Sequence, residues 1–285
     1  GDKPLILVQS FTFTNLSNTA AELTSLGIPV INGIDVALRA MRNLMSYRSG
    51  STAVADSNEI DFDPDAIRSW SLRLNAIESC DEITSLRLMS DFGLPTVSYS
   101  IAKSFDQTCA AAETCGFPLV LKTAMKGITH KSDKNGVKVG IENIQQLEVA
   151  YRDLQTRLGD QVLVMPMIAT GVEVSVGMKS DPQYGPMVII ACGGVLIELI
   201  AERAFKLAPV NAEQANAMID QTRLARLLAG VRGQAAVDRA ALVELVVRFS
   251  QLAFVLGEEM NEIDLNPVIV NQSGCTIVDA LVVPK

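Results

Sequence analysis

Apolar and polar positions along this chain follow two periods, and the switches between them predict most of its elements. In the first fifty residues, apolar runs at Leu5 to Val8 and Ile28 to Ile31 read as strands. Asn18 to Leu26, stopped by Gly27, and Asp35 to Tyr47 carry helical spacing. Such βαβα alternation belongs to a parallel sheet with covering helices, yet two strands are too few for an independent doubly wound domain. The chain starts Gly1-Asp2-Lys3-Pro4, without methionine, and enters a strand at once, which reads as a cut piece of a longer chain. From Ser49 to Asp63 the pattern gives way to small, polar and acidic residues, the composition of a linker.

Beyond the linker the periods resume. Pro64 fits the first turn of a helix running to about Leu74, and Ser79 with Glu82 forms a capping-box pattern for a second helix ended by Gly93 and Pro95. Asp106 reads as the N-cap of a third, stopped by Gly116 and Pro118. Asn143 with Gln146 opens a fourth, whose Leu147, Tyr151, Leu154 and Leu158 form one buried face. Val162 to Ile168 is an apolar strand interrupted by Pro166, hence an edge, a bulge or a crossing between two subdomains. Val172 to Lys179 alternates strictly, which puts Glu173 on a face with Ser175 and Gly177. Gly193-Gly194 after an apolar strand allows close approach of backbone to a ligand or to another strand. Helices are then predicted over Glu213 to Ala229 and Asp238 to about Leu256, and strands over Ile263 to Val270 and Cys275 to Val282, joined by a four-residue loop.

Composition narrows the classes. With 285 residues, 48% of them hydrophobic, the chain can bury a large core and holds two domains. A formal charge of −8 excludes sequence-independent binding to nucleic acid, which needs a basic face. No apolar run reaches the roughly 18 residues of a membrane helix, so no membrane partner is expected. Five cysteines without a CxxC pair read as reduced packing thiols, and the cytoplasm is the expected compartment.

Two stretches carry candidate chemistry. From Leu119 to Gly140 an apolar strand delivers Lys122, and a polar loop follows. That loop holds two glycines and the chain's one histidine, His130, before a strand returns. Five lysines between residues 122 and 138 of an acidic chain suit an anionic ligand such as phosphate, although a solvated hairpin would carry the same pattern. The second stretch is the C-terminal hairpin. If Val270 pairs with Cys275, Asn266 lies opposite Asp279, with Asp264 two residues away on the same face. Hard oxygen donors so grouped suit Mg²⁺ shared with substrate phosphates, or else an exposed polar face.

These landmarks together resemble the ATP-grasp portion of the ADP-forming acyl-CoA synthetases, relatives of succinyl-CoA synthetase. The resemblance rests on Gly116-Phe-Pro-Leu-Val-Leu-Lys122, His130-Lys-Ser-Asp133, Gly136-Val-Lys138, Gly171-Val-Glu173, Asp181 to Pro186, Gly193-Gly194 with Glu198, Leu207-Ala-Pro209, Arg232-Gly233, Asp264-Leu-Asn266-Pro267 and Val278-Asp279-Ala280. It implies a mixed α/β and α+β chain: an ATP-grasp fold of two subdomains over residues 76–285, with residues 51–75 as linker and connecting helix. Residues 1–50 would be the C-terminal part of a flavodoxin-like parallel α/β ligase domain. It also implies ATP or ADP with Mg²⁺, and a reaction in which acid, CoA and ATP interconvert with acyl-CoA, ADP and phosphate. Lys122 then matches the lysine that reaches the nucleotide phosphates, Asn266 and Asp279 the metal ligands, and His130 the phosphate carrier. Glu173, Gly193, Gly194 and Glu198 match positions near the nucleotide. A CoA-binding domain or subunit outside this chain is implied as partner, in a homo- or hetero-oligomer. Pro166 replaces the family's usual glutamate beside adenine, and Lys206 stands where arginine is common. A nucleotide-sensing module without turnover, or a different ATP-grasp carboxylate ligase, are the competing readings.

Overall fold

The computed structural model describes residues 6–9, 17–48, 60–125, 134–194, 202–231, 233 and 235–285. The chain divides into two compact units, 1–56 and 57–285. In the first, β1 (Leu7–Gln9) pairs in parallel with β2 (Val30–Asn32), and α1 (Ser17–Ser25) and α2 (Ile34–Arg48) follow the strands in turn. Gly27, at φ 79°, adopts the left-handed conformation that ends α1.

The second unit carries two sheets among the described residues. It opens with α3 (Pro64–Leu74), capped by Asp63, and α4 (Glu82–Asp91). β3 (Ser100–Ala102), α5 (Phe105–Cys115), β4 (Leu119–Thr123), β5 (Val137–Ile141), α6 (Ile144–Leu158) and β6 (Val162–Pro166) follow, and the strands assemble as an antiparallel sheet in the order β3-β6-β4-β5. Alternation in β4 decides which residue meets what. Leu119 and Leu121 enter a core with Leu147, Tyr151 and Leu154 of α6, while Val120 and Ala124 belong to the main core of the unit. Lys122 therefore projects away from α5 and α6.

The second sheet runs β11-β10-β7-β8-β9, with β12 also paired to β10. Its strands are β7 (Val172–Asp181), β8 (Gly185–Cys192), β9 (Arg203–Leu207), β10 (Met260–Asn271), β11 (Gly274–Ile277) and β12 (Leu281–Pro284). Before β10 come α7 (Ala212–Asp220), α8 (Leu224–Leu228) and α9 (Arg239–Leu256). Asp238 caps α9, whose Leu242, Val246, Phe249, Leu252 and Leu256 are wholly buried against Val174, Val176, Val188 and Ile190.

Several expected boundaries move, each for a local reason. The side chain that caps α4 is Asp81, accepting from Thr84 N, so Glu82 is not the third residue of a capping box but the first of the helix. Ser104, not Asp106, caps α5 by accepting from Gln107 N. The helix expected over 213–229 is two helices, broken where the Thr222 hydroxyl bonds back to Ile219 O and accepts from Leu224 N. Pro166 is the last residue of β6, an interior strand. It lies beyond the Ser100↔Val164 end of the β3 pairing, so its missing N–H costs no bond to β3. The expected second strand of the C-terminal hairpin is interrupted at residues 278–280, and its turn is a tight one closed by Asn271↔Gly274.

Candidate nucleotide site

The site begins at a lysine. β4 carries Lys122 into the main core with 6% of its surface exposed, where an ammonium needs partners for its three N–H donors. It finds three: Glu82 Oε1 at 2.8 Å, the Val278 carbonyl at 2.9 Å and Asp279 Oδ2 at 3.0 Å. Burial pulls the Lys122 pKa down, but the charges of Asp279 and Glu82 and their hydrogen bonds outweigh it and hold the amine above the ordinary lysine value. The ammonium thus stays charged, and it ties β4 of one sheet to the β11–β12 connection of the other.

The register that brings Asp279 to this point is the one the hairpin predicts. Val268↔Ile277 and Val270↔Cys275 on β11 continue on β12 as Asp264↔Leu281 and Ile263↔Val282, so Asn266 and Asp279 fall opposite one another in the gap between the two pairings. On the other side of β10, Leu265 pairs Val176 and Val268 pairs Val174, which leaves Asn266 and Pro267 as a β-bulge against Ser175, with a cis bond between them. Asn266 and Asp279 are both half-buried, and no described group bonds the Asn266 carboxamide. Asp264 is the third oxygen donor. Burial comes first in raising its pKa, and the charges of Glu262 and Asp279 add to it against a long hydrogen bond of 3.5 Å from Ser175 Oγ. An ionised carboxylate so placed is destabilised and would be relieved by a cation.

Asp264 also starts a row across the sheet. It pairs Gly177, which pairs Ile189, which pairs Phe205, so these four share one face, and Phe205 is 63% exposed. At usual strand spacing the row is about 14 Å long. Glu173 lies at the far end of β7, opposite Ile269, about 13 Å along the strand from the Asp264 row. Gly193 N donates to Glu173 O at 2.8 Å, and a Cβ at Gly194 would run into Glu173 Oε2. Gly193 and Gly194 therefore serve close approach of β8 to β7 and to the Glu173 carboxylate.

Of the expected site residues, Lys122 and Asp279 touch, Asp264 feels the charge of Asp279, and Asn266 joins them by register. Glu173, Gly193 and Gly194 form a separate group. His130 and Glu198 lie outside the described residues. Sequence reasoning missed Glu82, whose pattern mimicked a cap, and Phe205, because β9 was not recognised as a strand. Among the described residues no three His, Cys, Asp or Glu side chains gather as a metal cluster, so a cation site here needs the Asn266 amide. Burial raises the thiols of Cys80 and Cys275 to about 11, as expected of packing cysteines. No described helix is long and apolar enough to cross a membrane.

Residues 75–283 match the ATP-grasp domain, and the chain belongs to that family. Among the proteins it is similar to are ADP-forming acid–CoA ligases. It is 32% identical over 269 residues to the ADP-forming acetate–CoA ligase I of Archaeoglobus fulgidus, across 90% of this chain and 39% of that protein. The chain thus spans about two fifths of that relative's length. It is 32% identical over 197 residues to subunit beta of the ADP-forming acetate–CoA ligase I of Pyrococcus furiosus, covering 66% of this chain and 84% of the subunit. In solved form it is similar to the acetyl-coenzyme A synthetase 1 of Ca. Korarchaeum cryptofilum in complex with coenzyme A and Mg-AMPPCP, where a phosphohistidine segment points towards the nucleotide-binding site. The TM-score is 0.68, with 32% identity over 77% of this chain and 100% of that one.

Proposed function

We propose that this chain is the nucleotide-handling part of an ADP-forming acyl-CoA synthetase, interconverting acid, CoA and ATP with acyl-CoA, ADP and phosphate. The observation that carries the reading is the partly buried meeting of Lys122 with Asp279, beside Asp264 and Asn266, in a chain that matches most of a beta subunit of such a ligase. Two carboxylates and a carboxamide are hard oxygen donors, half-buried and short of positive charge, and they fit Mg²⁺. When bound, the cation would neutralise charge on the nucleotide phosphates.

The chain's own groups divide the remaining work. Lys122 holds a phosphate as a fixed positive charge, and the row from Asp264 to Phe205 has the length of a nucleotide lying with its phosphates at the carboxylate end and its base against the phenyl ring. Glu173, Gly193, Gly194 and Glu198 line the nucleotide's surroundings. His130 takes the phosphoryl group: the lone pair of its neutral imidazole attacks the γ-phosphorus, the bond from that phosphorus to the β,γ-bridging oxygen breaks, and ADP leaves. The phosphohistidine then gives its phosphoryl to the acid's carboxylate, and the CoA thiol displaces phosphate from the acyl phosphate. Those later steps belong to a CoA-binding domain or subunit, with which the chain forms a homo- or hetero-oligomer.

Residues 1–50 are read as the end of a flavodoxin-like ligase domain, 51–75 as the connection and 76–285 as the ATP-grasp domain. The match over 90% of the chain necessarily extends into the first unit, which supports that reading. The test supplies the CoA-binding part in trans and measures ATP formation from acyl-CoA, ADP and phosphate. His130→Ala should keep ATP binding and lose ATP formation; a near wild-type rate in the variant would refute the carrier.

A further inference from the structure

Lys122 is held by two carboxylates of unequal character. Glu82 is 5% exposed and Asp279 is 38% exposed at the side chain. Glu82 stands at the first position of α4, where Asp81 caps the helix and Ser85, Leu86, Leu88 and Met89 are buried beneath it. α4 is in turn fastened to the hairpin that carries Asp279, because Ser85 Oγ accepts from Val282 N at 3.2 Å. The charged groups facing the Lys122 ammonium are therefore Glu82 from α4 and Asp279 from the β11–β12 connection, with the Val278 carbonyl completing its three acceptors.

Three engaged donors leave none for a phosphate. A nucleotide can reach the lysine only if one acceptor gives way, and Asp279 is both the exposed one and the one assigned to the cation. Resting on the nucleotide-site reading above, we infer that Glu82 is a positioning residue of the site: the resident counter-ion that fixes the Lys122 ammonium while Asp279 exchanges Lys122 for the cation and a phosphate oxygen takes the donor so released. A buried ammonium deprived of Asp279 would otherwise face its desolvation alone. The helix position explains why a glutamate serves. It lies on a rigid capped turn, within reach of the lysine but set away from the surface where Asp279 is partly open.

The test is a double-mutant cycle on Mg²⁺-ATP binding to the whole chain, measured by calorimetry with Glu82→Gln, Lys122→Met and the pair. Glutamine keeps the shape and an acceptor oxygen but removes the charge. Glu82→Gln should weaken binding by about tenfold at neutral pH, the effect of losing one charge-assisted hydrogen bond at a phosphate-binding ammonium. In the Lys122→Met background Glu82→Gln should add no further loss, since it acts through the lysine. Should Lys122→Met bind as wild type does, the nucleotide-site reading fails and this inference with it. Should Lys122→Met weaken binding while Glu82→Gln does not, or should the two losses simply add, the site stands and the role of Glu82 is refuted. Thermal melting of the nucleotide-free variants accompanies the cycle, and a Glu82→Gln chain that melts like wild type yet binds weakly speaks for positioning over folding.

Discussion

Two charge clusters flank the β4–β5 connection, built from contacts of almost the same length in very different surroundings. On the entering strand, Lys122 holds Glu82 and Asp279 at 2.8 and 3.0 Å, with the lysine and glutamate side chains 7% and 5% exposed. On the returning side, Asp153 of α6 holds Arg157 and Lys138 at 2.6 and 2.8 Å, with all three side chains about a third exposed. Arg157 also donates to the carbonyls of Lys134 and Asn135, at 2.9 and 3.0 Å, and so fixes the turn at those two residues before β5. Hydrogen bonds from Arg157 and Lys138, more than charge alone, hold the Asp153 carboxyl far below the ordinary range. Distance does not separate the clusters. Burial does: Lys122 and Glu82 are shielded where every member of the second cluster is about a third exposed, so water screens the first less, and it can act on a ligand while the second serves as an anchor.

Removing Lys122 should break the comparison most completely. Lys122→Met should weaken Mg²⁺-ATP binding about a hundredfold by calorimetry and, by taking the buried ammonium away from Glu82 and Asp279, cost about 3 kcal/mol in denaturant unfolding. The sign of its pH dependence follows from the raised amine. Its contribution is fully present below the unfolded lysine value, about 10.4, and is lost as pH climbs through the higher folded value, so wild-type stability should fall in that alkaline window and the variant's fall should be smaller.

Next in size are the oxygen donors. Asn266→Ala and Asp279→Ala should each remove Mg²⁺-dependent ATP binding while the fold survives, read by calorimetry at saturating Mg²⁺ and by melting. Asp264→Asn sharpens the contrast by splitting stability from function. A carboxyl whose folded pKa is raised favours folding only below about 3.9 and opposes it as pH rises, so at neutral pH the ionised Asp264 is a cost. The asparagine variant should melt on the order of 1 to 3 °C higher without ligand, yet bind Mg²⁺-ATP more weakly. The smallest effect belongs to the screened cluster. Arg157→Met should melt within about 2 °C of wild type and leave ATP affinity unchanged.

How much of this was legible in the sequence depends on whether a residue's role was local. The strands β4, β7 and β10, the stripe of α9 and the register linking Asn266 to Asp279 all follow from alternation and helical spacing. The bulge at Asn266 and Pro267 and the break at residues 278–280 did not, because they depend on β7 and α4 packing from elsewhere. Glu82 shows the limit clearly. Three residues after Ser79 it fits a capping box, and only contact with Lys122, forty positions on, reveals a different task. Gly193-Gly194 was readable as a need for closeness, but that the close partners are β7 and Glu173 was not. β9 was missed because Arg203, Phe205 and Lys206 lack the apolar run of a buried strand, a consequence of its place at the sheet's edge.

The central claim is that phosphate passes from ATP to His130 of this chain. Incubating the chain with γ-labelled ATP and Mg²⁺, in the wild type and in His130→Ala, tests it most directly. The account predicts label on wild-type protein that is lost in acid and kept in base, and none on the variant, with ATP binding equal in the two. Label of equal amount on His130→Ala, or no label on a wild-type chain that binds ATP, would contradict it.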